Sequence, residues 1–150
     1  LESAGAIDLA GDGLPSVEGI VEIEGRRIRL LGLHTHWPVL PEVARMRDAA
    51  LGQAASIARD ADLPVILLGD LNLTPDSPEF ARLLDESALR DVVSGRRWRP
   101  TWQAGFWPLA LRIDHVLVTR ELCSEPSEVG PEIGSDHRPV RVRLHLPVTG

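Results

Sequence analysis

Val17, Val21 and Ile23 alternate with Glu18, Glu22 and Glu24, a period of two that predicts a strand with one face toward a core and the other toward water. Gly25 turns the chain. Arg27-Ile28-Arg29-Leu30-Leu31-Gly32-Leu33 then returns as a second strand, so the pair is a predicted hairpin. This strand becomes wholly apolar and ends in His34-Thr35-His36-Trp37, where Pro38 stops it. From Pro41 to Asp62 the period lengthens, with Val43, Met46, Ala50, Ala54, Ile57 and Ala61 at threes and fours, the pattern of an amphipathic helix. Val65-Ile66-Leu67-Leu68 follows Pro64 as a strand expected to be buried on both faces, and Gly69-Asp70-Leu71-Asn72 reads as the loop leaving its carboxyl end. Strand, helix and strand in succession predict a right-handed crossover between parallel strands. Open α/β sheets gather ligands at that carboxyl edge.

Beyond the loop, Ser77 before Pro78 predicts a helix N-cap, with Phe80, Leu83, Leu84 and Ala88 as the buried face. Residues 94–107 mix Arg96, Arg97 and Arg99 with Trp98, Trp102, Phe106 and Trp107 among Gly and Pro, an expected ordered loop. Arg112 to Thr119 is apolar except at Asp114 and His115, which predicts another strand. Leu122 to Gly134 is weakly patterned, an edge strand at most. Val140, Val142, Leu144 and Leu146 alternate with Arg141, Arg143 and His145 in a half-exposed strand. Leu1 to Pro15, rich in Gly and Ala without a period, is expected to be loop.

The fold class is therefore α/β, and 150 residues make a single domain over 1–150 with a sizeable core. Sixteen basic against 22 acidic residues leave a net charge of −6, which disfavours sequence-independent binding of a long polyanion. All the basic residues are Arg, a bias read as codon usage ahead of bidentate phosphate forks. Cys123 stands alone and forms no intrachain disulfide. No apolar run reaches the roughly 18 residues of a membrane helix. Any leader or anchor is expected ahead of Leu1, and the sequence assigns no compartment.

Polar chemistry gathers at strand ends: His34 and His36, Asp70 and Asn72, Asp114, and Asp136 with His137. A carboxylate inside an apolar strand costs several kcal/mol unless paired, so Asp114 requires a partner, and His137 is the best candidate. An Asp holding a His ring suits a general base or a phosphate-facing imidazolium. Further acids and an amide suit a hard divalent cation. Singly, each motif has a plain reading: Gly-Asp-x-Asn as a turn, Asp114 and His115 as a satisfied core pair, the Ser135-Asp136-His137 segment as a loop entering a strand. His115 and His145 are assigned to structure. The joint occurrence in this order is what independent turn chemistry does not explain.

The ordered set resembles the endonuclease/exonuclease/phosphatase superfamily. Leu68-Gly69-Asp70-Leu71-Asn72 is similar to its Gly-Asp-Phe-Asn motif, Arg112-Ile113-Asp114-His115-Val116-Leu117-Val118 to its Asp-bearing strand, and Gly134-Ser135-Asp136-His137-Arg138-Pro139-Val140 to its terminal Ser-Asp-His motif. Leu33-His34-Thr35-His36 resembles its phosphate-contacting histidine region, with His34 favoured over His36. His-Thr-x-x-Pro, Pro100-Thr101-Trp102 and Ile-Asp-His are similar to a bacterial branch that often carries membrane helices ahead of the catalytic domain. The resemblance implies a four-layer α/β sandwich, two mixed sheets face to face with helices outside, of which this chain is mainly the C-terminal half. The family's Asn and metal-binding Glu precede the region of Val17, and Leu1 to Pro15 supplies neither, so an N-terminal half is the expected partner.

The implied activity is hydrolysis of a phosphodiester or phosphomonoester by in-line attack of an activated water, with Mg²⁺ or Mn²⁺. Asp136 is the implied metal ligand. Asp70 is expected to position and deprotonate the water, Asn72 to hold it or a phosphate oxygen, and His137, oriented by Asp114, to stabilise the phosphorane or act as base. His34 is expected to donate to phosphate. The substrate class, small, lipid-linked or nucleic acid, stays open, with the acidic charge tilting against duplex DNA. The alternative is a non-catalytic fragment or binding module of the same descent, expected to associate through a bare sheet face. A His-rich bimetal phosphatase is excluded, since neither an Asp-x-His opening nor Asn-His-Glu occurs.

Overall fold

A computed structural model describes residues 1–93, 100–102 and 110–146. The chain runs β1 (Ser3–Ile7), β2 (Ser16–Ile23), β3 (Arg26–His34), α1 (Pro41–Arg59), β4 (Val65–Asp70), α2 (Pro78–Ser87), β5 (Arg90–Asp91), β6 (Asp114–Val118) and four two-residue strands. These are β7 (Cys123–Ser124), β8 (Glu128–Val129), β9 (Val140–Arg141) and β10 (Leu144–His145). A mixed six-stranded sheet has the order β1-β2-β3-β4-β6-β5, while β7 pairs with β10 and β8 with β9. The fold class is thus mixed α/β.

The predicted hairpin is present, β2 pairing with β3 in antiparallel register from Val17↔Gly32 to Ile23↔Arg26. So is the crossover: α1 carries the chain from β3 to β4, which lies parallel. Both helices cover one face. Leu31, Leu33, Val65, Leu67 and Leu117 point there and meet Leu51, Ala54, Phe80 and Leu83. In α2 the N-cap is the expected one, Ser77 Oγ accepting from Phe80 N–H at 3.2 Å.

Several expectations are corrected. Residues 3–7 form a strand where the composition predicts loop. Ser-Ala-Gly-Ala joins the β2 edge through its backbone alone, so no side-chain period marks it. The buried stripe of α1 is Arg47, Leu51, Ala54, Ala55 and Ala58, rotated from the predicted one and leaving Met46 exposed, because a core position is held by an arginine. Ala88 ends α2 as an exposed C-cap at φ +57° and is not on its buried face. β4 is not buried on both faces, since Leu68 is 40% exposed. Among the described residues, the second face of the sheet is covered near β6, where Val118 and Leu122 meet Val142, Leu144 and Leu146. The expected edge strand over 122–134 is reduced to β7 and β8, and the strand over 140–146 to β9 and β10. The Arg/Trp loop lies, apart from Pro100, Thr101 and Trp102, outside the described residues.

Candidate active site

Parallel β3 and β4 end level with one another, and antiparallel β6 begins there, so His34 pairs with Asp70 and Asp70 with Asp114 in one cross-strand row. Directly paired residues share a sheet face. The row therefore presents three polar side chains on the face opposite the helices, at the edge that the crossover predicts. Backbone sterics fix it: a Cβ on Gly69 would lie 1.8 Å from Leu33 O, and its φ is +139°, so only glycine admits β4 this close to β3 before Asp70.

His137 arrives from the loop between β8 and β9. Its Nδ1–H donates to Asp114 Oδ2 at 2.9 Å, and its Nε2 lies 3.8 Å from Asp70 Oδ2. His34 Nε2 stands 3.9 Å from the same oxygen. The last two separations exceed hydrogen-bond length and leave room for a bridging oxygen. His36 turns away, its Nε2 2.9 Å from Asp12 Oδ2. An open cleft of about 320 Å³ adjoins the row, lined in part by Leu68, Gly69, Asp114, His137 and Arg138. A larger cleft, about 550 Å³, lies at the far sheet edge by Pro64 and Arg120 and holds none of these side chains.

The Asp70 side chain is 16% exposed, and burial pushes its carboxyl up; the Asn72 amide acts downward, the nearby Asp114 charge upward, and His137 and His34 downward. Desolvation prevails, which makes the group a better proton acceptor near neutrality than a free aspartate. Asn72 is buried, with φ +46°. Its backbone N–H donates to Asp70 Oδ1 at 2.9 Å and its side-chain Nδ2 to Thr35 O at 2.6 Å. The amide thus locks the loop after β4 to the end of β3. Asp136 is exposed, and its Oδ2 accepts from Trp102 Nε1–H at 3.1 Å; Trp102 in turn packs on Trp37 with ring centroids 5.2 Å apart.

Sequence reasoning misses two residues that hold this loop and its neighbour, and takes a third as merely structural. Arg47 Nη1 donates from α1 to Asn72 O at 3.2 Å. His115 Nε2–H donates to Leu73 O at 2.8 Å, and burial pushes its ring down to about 4, so it stays neutral. Thr101 Oγ1 accepts from both Ile113 N–H and Asp114 N–H at 3.1 Å. Arg47 leaves a signal, a charge on the helix stripe. Among the described residues no three His, Cys, Asp or Glu side chains come together as a metal site, and no helix is long and apolar enough to cross a membrane.

The sequence matches the Endonuclease/Exonuclease/phosphatase family over residues 1–137. No curated protein matches it. Among solved structures, humanized TDP2 of D. rerio superposes with a TM-score of 0.73 at 17% identity, over 95% of this chain and 66% of that one. The mannosyl-6-phosphatase Bt3783 of Bacteroides thetaiotaomicron gives 0.66 at 20%, over 88% and 58%. The beta toxin of Staphylococcus aureus, a F277A, P278A mutant with bound magnesium ions, gives 0.65 at 20%, over 85% and 56%. The chain spans 56% to 66% of the length of these three structures.

Proposed function

The chain belongs to the endonuclease/exonuclease/phosphatase family, and from that premise we propose that it is the C-terminal part of a divalent-metal-dependent phosphoesterase hydrolysing a phosphodiester or phosphomonoester with water. The observation that supports this reading is the convergence of His34, Asp70, Asp114 and His137 from separate segments on one sheet edge. Asp70 takes a proton from water as its oxygen bonds to phosphorus opposite the leaving oxygen, whose bond breaks. His137, oriented by its hydrogen bond to Asp114, stabilises the charge on the pentacoordinate phosphorane, and His34 donates to a phosphate oxygen. Asn72 keeps Asp70 aimed.

The donor set is hard oxygen, which fits Mg²⁺ or Mn²⁺, but the described residues lack a group of three. Asp136 would hold the ion, the remaining ligands coming from an N-terminal half of the domain. When bound, the cation supplies neutralisation of charge on phosphate. The leaving group is small or lipid-linked in this reading, given the net charge of −6. Assays of the complete domain on DNA, isoprenoid diphosphate and phosphoinositide, with and without Mg²⁺, test it. Metal-dependent hydrolysis that Asp70→Ala and His137→Ala each lower by at least about a hundredfold is expected. Turnover unchanged in both overturns it.

The second reading, a non-catalytic binding module, shares one observation with the first. Val17 and Leu68 are 55% and 40% exposed on the second sheet face, an apolar surface suited to a partner. A binding module predicts concentration-dependent association and no hydrolysis under any metal.

A further inference from the structure

The two members of the Asp114–His137 pair lie on different segments, and neither reaches the other by local structure alone. Asp114 opens β6 at the point where the sheet ladder runs out: Leu71 N–H donates to Ile113 O at 3.0 Å, while the amides of Ile113 and Asp114 donate outside the sheet. His137 sits in a loop whose local tie is its own N–H to Ser135 Oγ at 3.1 Å. One residue joins both. Thr101 is fully buried, and its single hydroxyl oxygen accepts from Ile113 N–H and Asp114 N–H, each at 3.1 Å. Its carbonyl accepts from Arg138 N–H at 2.6 Å. Its own N–H donates to Leu111 O at 2.9 Å, and the next residue, Trp102, bridges to both Leu111 and His137.

Two lone pairs on one hydroxyl oxygen match two successive amides, a demand that valine, of the same shape, leaves unmet. Asp114 is thereby held by its backbone at one end of Thr101 while the His137 loop is held at the other. The distance between the carboxylate and the ring is set across a single residue. We propose that Thr101 is a positioning residue for the Asp114–His137 pair, acting through backbone amides without touching substrate. The proposal rests on the phosphoesterase reading for its effect on turnover, but its geometric content does not.

The experiment compares the unsubstituted chain with Thr101→Val and Thr101→Ser by NMR, then compares turnover of the same variants in the complete domain. In the unsubstituted chain the Ile113 and Asp114 amides are expected to exchange as slowly as those inside β6, and the His137 Nδ1–H to resonate downfield, as a proton shared with a carboxylate does. Thr101→Val should speed exchange at both amides and move or broaden the His137 signal, with the dispersion of the remaining amides retained. Thr101→Ser, which keeps the acceptor, should restore both. In the complete domain kcat should fall by about a hundredfold in Thr101→Val, the scale of a misplacement near 1 Å, with KM unchanged and recovery in Thr101→Ser. A folded Thr101→Val with an unmoved His137 resonance overturns the proposal, as does fast exchange at Ile113 and Asp114 in the unsubstituted chain, which decides the matter even if the valine variant does not fold. Absence of hydrolysis in the unsubstituted domain with the NMR results as expected overturns the phosphoesterase reading and leaves the positioning role standing.

Discussion

His137 Nδ1 lies 2.9 Å from Asp114 Oδ2, and the other ring nitrogen, Nε2, lies 3.8 Å from Asp70 Oδ2. One imidazole thus spans two carboxylates, bonded to the first and open to a bridging oxygen at the second. Asp114→Asn keeps the shape and replaces the carboxylate that accepts from His137 Nδ1–H with an amide, which weakens the hold on the ring. The expected outcome is a fall in turnover of about 10- to 100-fold, the range typical of lost supporting partners, with the circular dichroism spectrum unchanged. Equal rates for the two proteins would detach Asp114 from the chemistry.

That pairing is legible in the sequence because of an energetic conflict: an aspartate inside Ile113–Val118 has to find a donor, and His137 stands in the polar loop before the last strands. The hairpin and the crossover are legible from their periods of two and of three to four. Other parts are hidden for definable reasons. β1 joins the sheet by backbone pairing of small residues, which leaves no trace in hydropathy. The helix stripe is rotated from its hydropathy pattern because Arg47 occupies a core place, and a guanidinium counts as polar until its partners are known. Thr101 acts on amides, which nearly every residue has, so the resemblance of Pro100-Thr101-Trp102 marks the position without revealing its role. The exposed side of β4 is hidden too, since a run of aliphatics does not reveal whether its second face has a neighbour.

Asp70 carries a prediction on pH and stability. Its carboxyl is raised, chiefly by burial, so the folded chain keeps this proton to higher pH than the unfolded chain does. Stability is therefore lost as pH rises from the ordinary carboxylate range through the folded value, and the penalty is complete above it. Asp70→Asn retains an Oδ1 acceptor for the Asn72 N–H and cannot ionise. Thermal midpoints of the two proteins should converge in acid and separate toward neutrality, the asparagine variant being the more stable. A constant gap across that range would show that the charge is not strained.

His115 predicts the opposite arm. Its ring is lowered from 6.5 to about 4, first by burial, so the unfolded chain takes up a proton before the folded one as pH falls. Stability that is whole above about pH 6.5 should decline between there and about 4, by on the order of 3 kcal/mol, since a tenfold difference in proton affinity is worth about 1.4 kcal/mol. His115→Gln keeps an N–H donor near Leu73 O and has no proton to bind. Urea unfolding across this window should show a flattened acid decline in the variant. An unchanged decline would place the acid sensitivity elsewhere.

Arg47 separates a buried guanidinium from exposed ones on the same helix. Its side chain is 8% exposed, with Nε and Nη2 at 3.0 and 2.9 Å from Asp48 Oδ1 and Nη1 at 3.2 Å from Asn72 O. Arg47→Met preserves much of the apolar stem, so it removes the donors without opening a large cavity. A buried carbonyl and a carboxylate lose their partner, which costs about 1–3 kcal/mol and lowers the melting temperature on the order of 5 °C for a chain of this size. Two positions earlier, Arg45 is 71% exposed and 3.4 Å from Glu42 Oε1; Arg45→Met should stay within about 0.5 kcal/mol. Since Arg47 holds Asn72 and Asn72 holds both Asp70 and Thr35, the buried substitution should also speed amide exchange at Asn72, while the exposed one should not. If the two variants melt together, the loop after β4 is held without Arg47, by its bonds to Ile113, Asp70, Thr35 and His115, and α1 contributes only apolar packing to the site.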